Sequence, residues 1–492
     1  MAVNETRWKG IWWLAGNPDA TEPGVLYQAG NGSLRLELIG GFDSGDGTTR
    51  GGGVLAGIDT GAPFPVLHGQ CGAERFTLLD SLVTHASGSL FGRVSEQTLS
   101  PLRGLRGMHL ADPAEPVFSA LRMQLEYLLG WTGQSTMHQA MTFEDHRWTG
   151  QQTVHTTPVD DLVASYGDLT ATLSVDYTNF RTSHVDSQNR RTITGTEWAQ
   201  LELAYPRPVS LDDFNHLTKA MADLMTLCAH APAGALKRTL VIAEPDDEGQ
   251  RKPTEVEVLG RQVYQPGSSA STPAFVEYLF TLNDVAFDAV LPAWLALYER
   301  TATACSTLLG LRYISQGYVQ NRLLNAASAA EAMHRSLLDR SPYGDEEFKA
   351  LIKKLLQACA GKDKASKAER RFIRERLRNE LTYHERLLEL AAVPDAEAVH
   401  SLLPDIEAWA VELKKARNGV AHASGNPGER SQLTRWAALQ HALAEVTYAL
   451  VSLVLLSELG LSAEVQRRAA RIQAFGFAAK QFSQAVDDSQ AR

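Results

Sequence analysis

Cysteine is scarce in this chain of 492 residues: there are four, Cys71, Cys228, Cys305 and Cys359. No two stand at a zinc or redox spacing, and a disulfide scaffold needs far more, so they read as isolated reduced thiols. Long apolar runs are lacking as well. The most apolar stretch, Val446 to Ser457, is twelve residues long and is bounded by Glu445 and Glu458. That is too short to span a bilayer and fits a buried core helix. The first twenty residues hold Asn4, Glu5, Arg7, Lys9, Asn17 and Asp19 and no apolar h-region, which excludes a signal peptide. The expectation is a soluble, cytoplasmic protein with no membrane partner. A Walker-type phosphate loop, a nucleophile-elbow serine and a metal-spaced His/Cys/Asp cluster are all missing. Neither a metal nor another cofactor is therefore expected. Excess positive charge is missing too: the formal net charge is −10, which argues against a general nucleic-acid binder.

What is present fits an ordinary globular chain. Apolar residues make up 44% and charged residues 21%, enough apolar surface to exclude disorder over the whole length. The charge is unevenly divided. From Val285 to Arg492 there are 27 Lys and Arg against 24 Asp and Glu, and the remainder carries 20 against 33. The hydrophobic period changes near the same point. Leu34, Leu36 and Leu38 alternate with polar residues, as do Leu121 to Tyr127, Leu169 to Tyr177 and Leu201 to Tyr205. A period of two with one polar face marks antiparallel sheet. Strands are expected again at 240–242 and 256–258, with a loop from Pro245 to Pro253. One helix is expected near 210–229, started by Ser210 with Asp213 and carried by Phe214, Leu217, Met221, Leu224 and Cys228. From about Asp288 the period is 3.6. Helices are expected near 292–312, 316–339, 345–360, 365–391, 403–417, 432–459 and 462–482. The fold class is α+β: a β-rich region over 1–285, then an all-α helical bundle over 286–492.

Two features of the helical region bear chemistry. Lys362, Lys364, Lys367, Arg370, Arg371, Arg374, Arg376 and Arg378 crowd together, opposed by Asp363, Glu369 and Glu375. The cluster reads as a solvated helix face or as a patch that attracts phosphate; Lys367, Arg370, Arg371, Arg374 and Arg378 are the candidate RNA contacts. The second feature is Arg417-Asn418-Gly419-Val420-Ala421-His422. Of fourteen histidines, only His422 has an arginine five residues before it. The match sits at a helix end, before a Gly/Pro loop and another apolar helix. An Arg and a His there could simply cap carbonyls and favour the helix dipole.

This arrangement resembles the HEPN ribonuclease superfamily, whose signature is Arg-x-x-x-x-His with a polar residue after the Arg. Asn325 to Arg335, with Glu331 before His334-Arg335, is similar to the early helix of the ApeA-like subgroup. The segments Trp8 to Pro18, Pro23 to Leu26, Leu36 to Gly40 and Leu125 to Thr132 are similar to the N-terminal domain of ApeA anti-phage proteins. Ala15 departs from that pattern, where Pro would be expected. The resemblance implies an abortive-infection endoribonuclease cutting RNA, in particular tRNA. It implies a homodimer formed through the HEPN domain, with two His and two Arg in one cleft. The N-terminal region would sense a phage-derived trigger.

The residue types suit that chemistry. RNA carries its own nucleophile, the 2′-OH, so cleavage needs a base, an acid and a cation for the pentavalent phosphate. Histidine serves the proton transfers and arginine the charge. Arg417, Asn418 and His422 are thus the candidate catalytic residues, Asn418 holding either the imidazole or a phosphate oxygen. Glu331, His334 and Arg335 are candidates for a supporting role, although Glu331 and Arg335 also have the spacing of a plain helix salt pair. Two other readings use the same sequence: a non-catalytic HEPN module that grips RNA or a nucleotide, and a glycan-binding β domain fused to a helical oligomeriser. The latter would use Trp8, Trp12 and Trp13 as a platform, though such clusters more often pack in a core.

Overall fold

The computed structural model describes residues 5–42, 63–88, 94–185, 187–245, 251–266, 277–314, 316–358, 367–421 and 430–490. The chain divides into two compact units, Met1–Leu295 and Ala296–Arg492.

The first unit is built on six strands: β1 (Thr6–Leu14), β2 (Asn17–Gln28), β3 (Leu34–Ile39), β4 (Phe64–Cys71), β5 (Glu74–Gly88) and β6 (Val94–Ser100). They pair in the order β5-β4-β1-β2-β3-β6, and β6 returns to β5, closing a barrel. Alternation along β3 sends Leu34, Leu36 and Leu38 inward, where they meet Trp12, Leu26, Leu67, Phe76, Leu78 and Leu99. Trp12 takes the space opposite Gly69, whose absent Cβ would lie 2.2 Å from the indole. Trp12 is thus core, and Trp8 packs on Phe76 with ring centroids 5.4 Å apart. The tryptophan cluster is mainly packing.

Strand β5 also belongs to a second array. Its first half pairs with β7 (Arg103–Arg106), which begins the order β7-β17-β16-β8-β15-β12-β11. These are β8 (Phe118–Leu125), β11 (Leu162–Tyr166), β12 (Leu169–Tyr177), β15 (Glu197–Val209), β16 (Ala235–Pro245) and β17 (Arg251–Gly260). Two small hairpins stand apart, β9 (Met137–Glu144) with β10 (Arg147–Thr156) and β13 (Arg181–Thr182) with β14 (Ile193–Thr194). Helices α1 (Leu128–Thr132) and α2 (Leu211–Ala229) complete the unit. Helix α2 starts as its sequence requires: the Asp213 carboxylate accepts from the Ser210 backbone N–H at 2.9 Å and its hydroxyl at 2.7 Å. Phe214, Leu217, Met221, Leu224 and Cys228 are buried.

Two expectations need correction here. Strands β16 and β17 reach Pro245 and Arg251, so Pro245 and the residues from Arg251 to Pro253 are paired strand where a loop was expected, and 246–250 lie outside the described residues. Alternation carried past Leu125 also misled: Tyr127 has φ +67 and starts α1 instead of extending β8.

The helical region begins at α3 (Phe287–Tyr313) and continues with α4 (Val319–Leu338), α5 (Asp345–Ala358), α6 (Lys367–Arg376), α7 (Tyr383–Ala391) and α8 (Ala396–Leu402). It ends with α9 (Ile406–Ala421), α10 (Arg430–Glu458), α11 (Ala463–Ala470) and α12 (Gln473–Gln490). Two expected helices are each split, 365–391 into α6 and α7 and 462–482 into α11 and α12, and α8 was not anticipated. Thr382 breaks the first: its hydroxyl accepts from Glu385 N–H while the Glu385 carboxylate takes the Thr382 N–H at 2.7 Å. Ser462 caps α11 in a similar manner.

Helix α10 is the centre. By length and composition Thr434–Glu458 would suffice to cross a membrane, yet most of it is buried inside the unit. Helices α4, α7, α8, α9, α11 and α12 pack around it. Several of its polar groups are matched. Thr447 accepts a bond from the Trp409 indole at 3.0 Å. Glu445 accepts from Arg312 at 2.7 Å and Arg322 at 2.6 Å, and the Arg312 guanidinium lies 3.9 Å from the Tyr448 ring centre. Burial opposes the Glu445 charge, but the two guanidiniums win and hold its pKa at about 2. Its charge is therefore a source of stability above the unfolded carboxylate pKa, lost as pH falls towards 2. Glu445→Ala should destabilise the protein by about 3–5 kcal/mol, the cost of stranding a buried partner charge. Denaturant unfolding between pH 7 and pH 3 checks this. The wild type should weaken below about pH 4.5, and the variant should show a flatter pH dependence.

Candidate active site

The motif helix, α9, lies in contact with α4 and α7. It stays helical through Gly419, where a Cβ would meet nothing within 4 Å. Arg417 stands one turn before its end, half-buried. Its Nη2 donates to Glu331 Oε2 of α4 at 2.9 Å. The other Glu331 oxygen accepts from Arg335 at 3.2 Å, so one carboxylate holds two guanidiniums. Underneath, the Tyr383 ring centre lies 4.4 Å from the Arg417 guanidinium carbon. The Tyr383 hydroxyl donates to Ala327 O at 3.1 Å, one turn before Glu331 on α4. Burial pushes that hydroxyl well above the usual tyrosine range, against the pull of Arg417, so it remains a donor. Arg417 is thus seated between a carboxylate edge and an aromatic face, a pairing suited to its flat cation.

Of the three supporting candidates, Glu331 and Arg335 join this cluster and His334 does not. His334 is fully buried, its Nε2 bonded to Glu389 Oε2 at 2.9 Å. On its other side Arg386 Nη1 lies 3.5 Å from His334 Nδ1, an arrangement that puts the ring proton on Nε2. Arg386, itself buried, also donates to Leu381 O at 3.1 Å. Burial works against the Glu389 charge, yet the bonds from His334 and Arg340 keep its carboxyl below the usual range. This network fastens α7 to α4 and so positions Tyr383.

Asn418 is exposed on α9. His422 lies outside the described residues, as do Lys362, Lys364 and Cys359. In the basic cluster, Lys367, Arg370 and Arg371 are exposed on α6, and Arg378 is exposed just beyond it. Arg371 is bonded to Glu375 at 2.6 Å, and Arg378 stands 3.9 Å from Glu380. The Arg374 side chain lies outside the described residues. None of the described α5 or α6 side chains is fully buried, and Phe372, under Arg376, is 61% exposed. Among the described residues no group of three His, Cys, Asp or Glu is placed to hold a metal ion.

Sequence reading missed Tyr383, Arg386 and Glu389. The signal available was the capping box Thr382-Tyr383-His384-Glu385, which starts a new helix and places Tyr383 on its first turn.

Comparison with known families agrees with this division. Residues 7–294 match the model described as ApeA N-terminal domain 1, and residues 324–465 match the Apea-like HEPN model. No curated protein and no solved structure matches the chain.

The two carboxylate networks should respond differently to substitution. His334→Ala removes a buried partner and should cost about 1–3 kcal/mol. Glu331→Ala breaks a partly exposed pair and should cost about 1 kcal/mol or less. Urea unfolding of the two variants checks the order; the reverse order would move His334 into the functional group and Glu331 into the structural one.

Proposed function

The chain belongs to the ApeA family, whose Apea-like HEPN domain is associated with anti-phage defence and nuclease chemistry; on that premise we propose that it is a metal-independent endoribonuclease acting on RNA, with tRNA as the substrate class. The observation that carries the proposal is the seat of Arg417. An arginine in a family signature is held over the Tyr383 ring and by the Glu331 carboxylate, half-buried and one turn before the helix end, five residues before His422 in the sequence. In the proposed reaction, His422 takes the proton of the 2′-OH, which attacks the adjacent phosphorus. The bond to the 5′-oxygen breaks, and that oxygen receives a proton from a second group. Arg417 would meet the charge that builds on the non-bridging oxygens. Asn418, exposed beside it, would hold the imidazole or a phosphate oxygen.

Each chain offers one histidine in the motif, whereas the reaction needs a base and an acid. A homodimer with both motifs in one cleft supplies the second. The basic face of α6 would receive RNA backbone, and the N-terminal unit would respond to a phage-derived trigger.

Replacing His422 with Ala should lower cleavage by roughly 10²–10⁴-fold, the usual worth of a positioned acid or base. Arg417→Ala should cost roughly 10²–10³-fold through lost transition-state charge. Both variants should stay folded, and wild-type products should end in 2′,3′-cyclic phosphate even with a chelator present. End-group analysis of RNA cut by purified protein checks all of these. Near-wild-type cleavage by either folded variant would end the assignment.

The shared cleft makes a separate prediction. Wild type and His422→Ala, mixed equally and re-paired at random, should give about one quarter of wild-type activity if both histidines serve one site, and about one half if the sites are independent. Activity assays after confirmed subunit exchange distinguish the two.

A further inference from the structure

The N-terminal unit holds a cavity of about 730 Å³ that the ribonuclease reading does not use. Its floor is the polar face of β16, β17 and β7, and one wall is the segment 107–109 that follows β7. That wall is built rigidly although it has no regular structure. Gly107, at φ +124, donates to Arg75 O at 2.8 Å. The buried Thr77 hydroxyl donates to Met108 O at 3.0 Å and accepts from Leu110 N–H at 2.9 Å. His109 and His68 stack at 4.7 Å, His109 bonded to Gly69 O at 3.0 Å and His68 to Leu110 O at 2.9 Å. A site whose wall is fixed before binding loses less entropy when a ligand enters.

The cavity is lined by three cations, Arg75, Arg106 and Lys237, and three carboxylates, Glu74, Glu255 and Glu257, and their pairing is uneven. Arg106 is engaged by Glu74 and by Glu257, the latter at 3.0 Å, and Glu255 is engaged by Arg122 at 2.8 Å. Every lining carboxylate therefore already has a guanidinium, Arg106 being shared by Glu74 and Glu257 and Arg122 by Glu255 and Glu202. Arg75 and Lys237 also line the cavity, both exposed, and among the described residues neither has a carboxylate partner. These two cations are the ones left to meet an anionic group of a ligand. The acceptors are also in surplus. Arg106 uses Oε2 of Glu257 and Arg122 uses Oε1 of Glu255, leaving one oxygen on each carboxylate for a ligand O–H or N–H. Met108 and Ile242 add a small apolar surface.

A bare inorganic anion would fill little of this volume and would leave those acceptors unused. A ligand that joins a phosphate to hydroxyl and amino donors and a flat ring would use all three surfaces, and the volume lies in the usual range for such sites. We propose that this cavity binds a nucleoside phosphate, with Arg75 and Lys237 on the phosphate and Glu255 and Glu257 on the sugar or base. The proposal rests on the N-terminal unit alone and stands apart from RNA cleavage.

Calorimetric titration of the full chain tests it, with ATP, ribose 5-phosphate and inorganic phosphate as probes. ATP should bind saturably, and the other two at least about tenfold more weakly, since each lacks surfaces that the cavity contacts. Arg75→Gln and Lys237→Gln should each weaken ATP by about tenfold or more, the worth of one charge-assisted contact. Both side chains are exposed and without carboxylate partners among the described residues, so the fold should survive, which circular dichroism checks. Arg417→Ala should bind ATP as the wild type does. The proposal is overturned by an absence of saturable ATP binding at millimolar concentration. It is equally overturned if ribose 5-phosphate or phosphate binds as tightly, if both folded Gln variants keep wild-type affinity, or if Arg417→Ala abolishes binding. Loss of cleavage in Arg417→Ala with ATP binding intact would leave both readings standing. Wild-type cleavage in that variant would remove the ribonuclease site alone.

Discussion

Helix α10 must be covered on nearly every side, and the helical unit follows from that need. A stretch of apolar residues from Ala442 to Leu456 gains far more by leaving water than any single polar contact provides. Covering it takes α4, α7, α8, α9, α11 and α12. Two of these, α4 and α9, carry the residues with chemistry, and they are in contact with each other. Packing around α10 thus helps to bring Glu331 within reach of Arg417, although 86 residues separate them in sequence.

Polar residues refine what apolar packing leaves loose. The buried Arg386 guanidinium would be costly alone, and the Glu380 carboxylate lies 3.8 Å from it, while Glu389 accepts from His334. The same network sets the position of α7 and so of Tyr383. The Tyr383 ring then supports Arg417 from below while Glu331 holds its edge. Three helices thereby share the task of orienting one guanidinium. Such orientation matters for transition-state charge, because donors that are already aimed need not reorganise during the reaction.

The N-terminal unit solves a different problem by sharing a strand. Strand β5 closes the barrel with β6 along its second half and starts the outer array with β7 along its first. Next to that junction the chain leaves β7 and must turn, and Thr77 with the stacked pair His68 and His109 holds the turn in place. The fixed wall is a consequence of this junction.

Much of the architecture was legible in the sequence because it depends on period. Alternation at Leu34 to Leu38 and Leu169 to Leu173 marked sheet, the change of period near Asp288 marked the bundle, and Ser210 with Asp213 marked the start of α2. The Arg-Asn-x-x-x-His spacing and the Glu331-x-x-His334-Arg335 segment were likewise visible as one-dimensional patterns. Closure of the barrel was not visible, since the return of β6 to β5 is a pairing between strands and leaves no trace in either alone. Nor could sequence separate Glu331 from His334. Both lie on one helix three residues apart, and only their neighbours differ: Arg417 beside one, Arg386 and Glu389 around the other. Local propensity determines which elements form and where they begin. Which charge meets which partner is decided by tertiary packing, because the energy of an ion depends on what surrounds it.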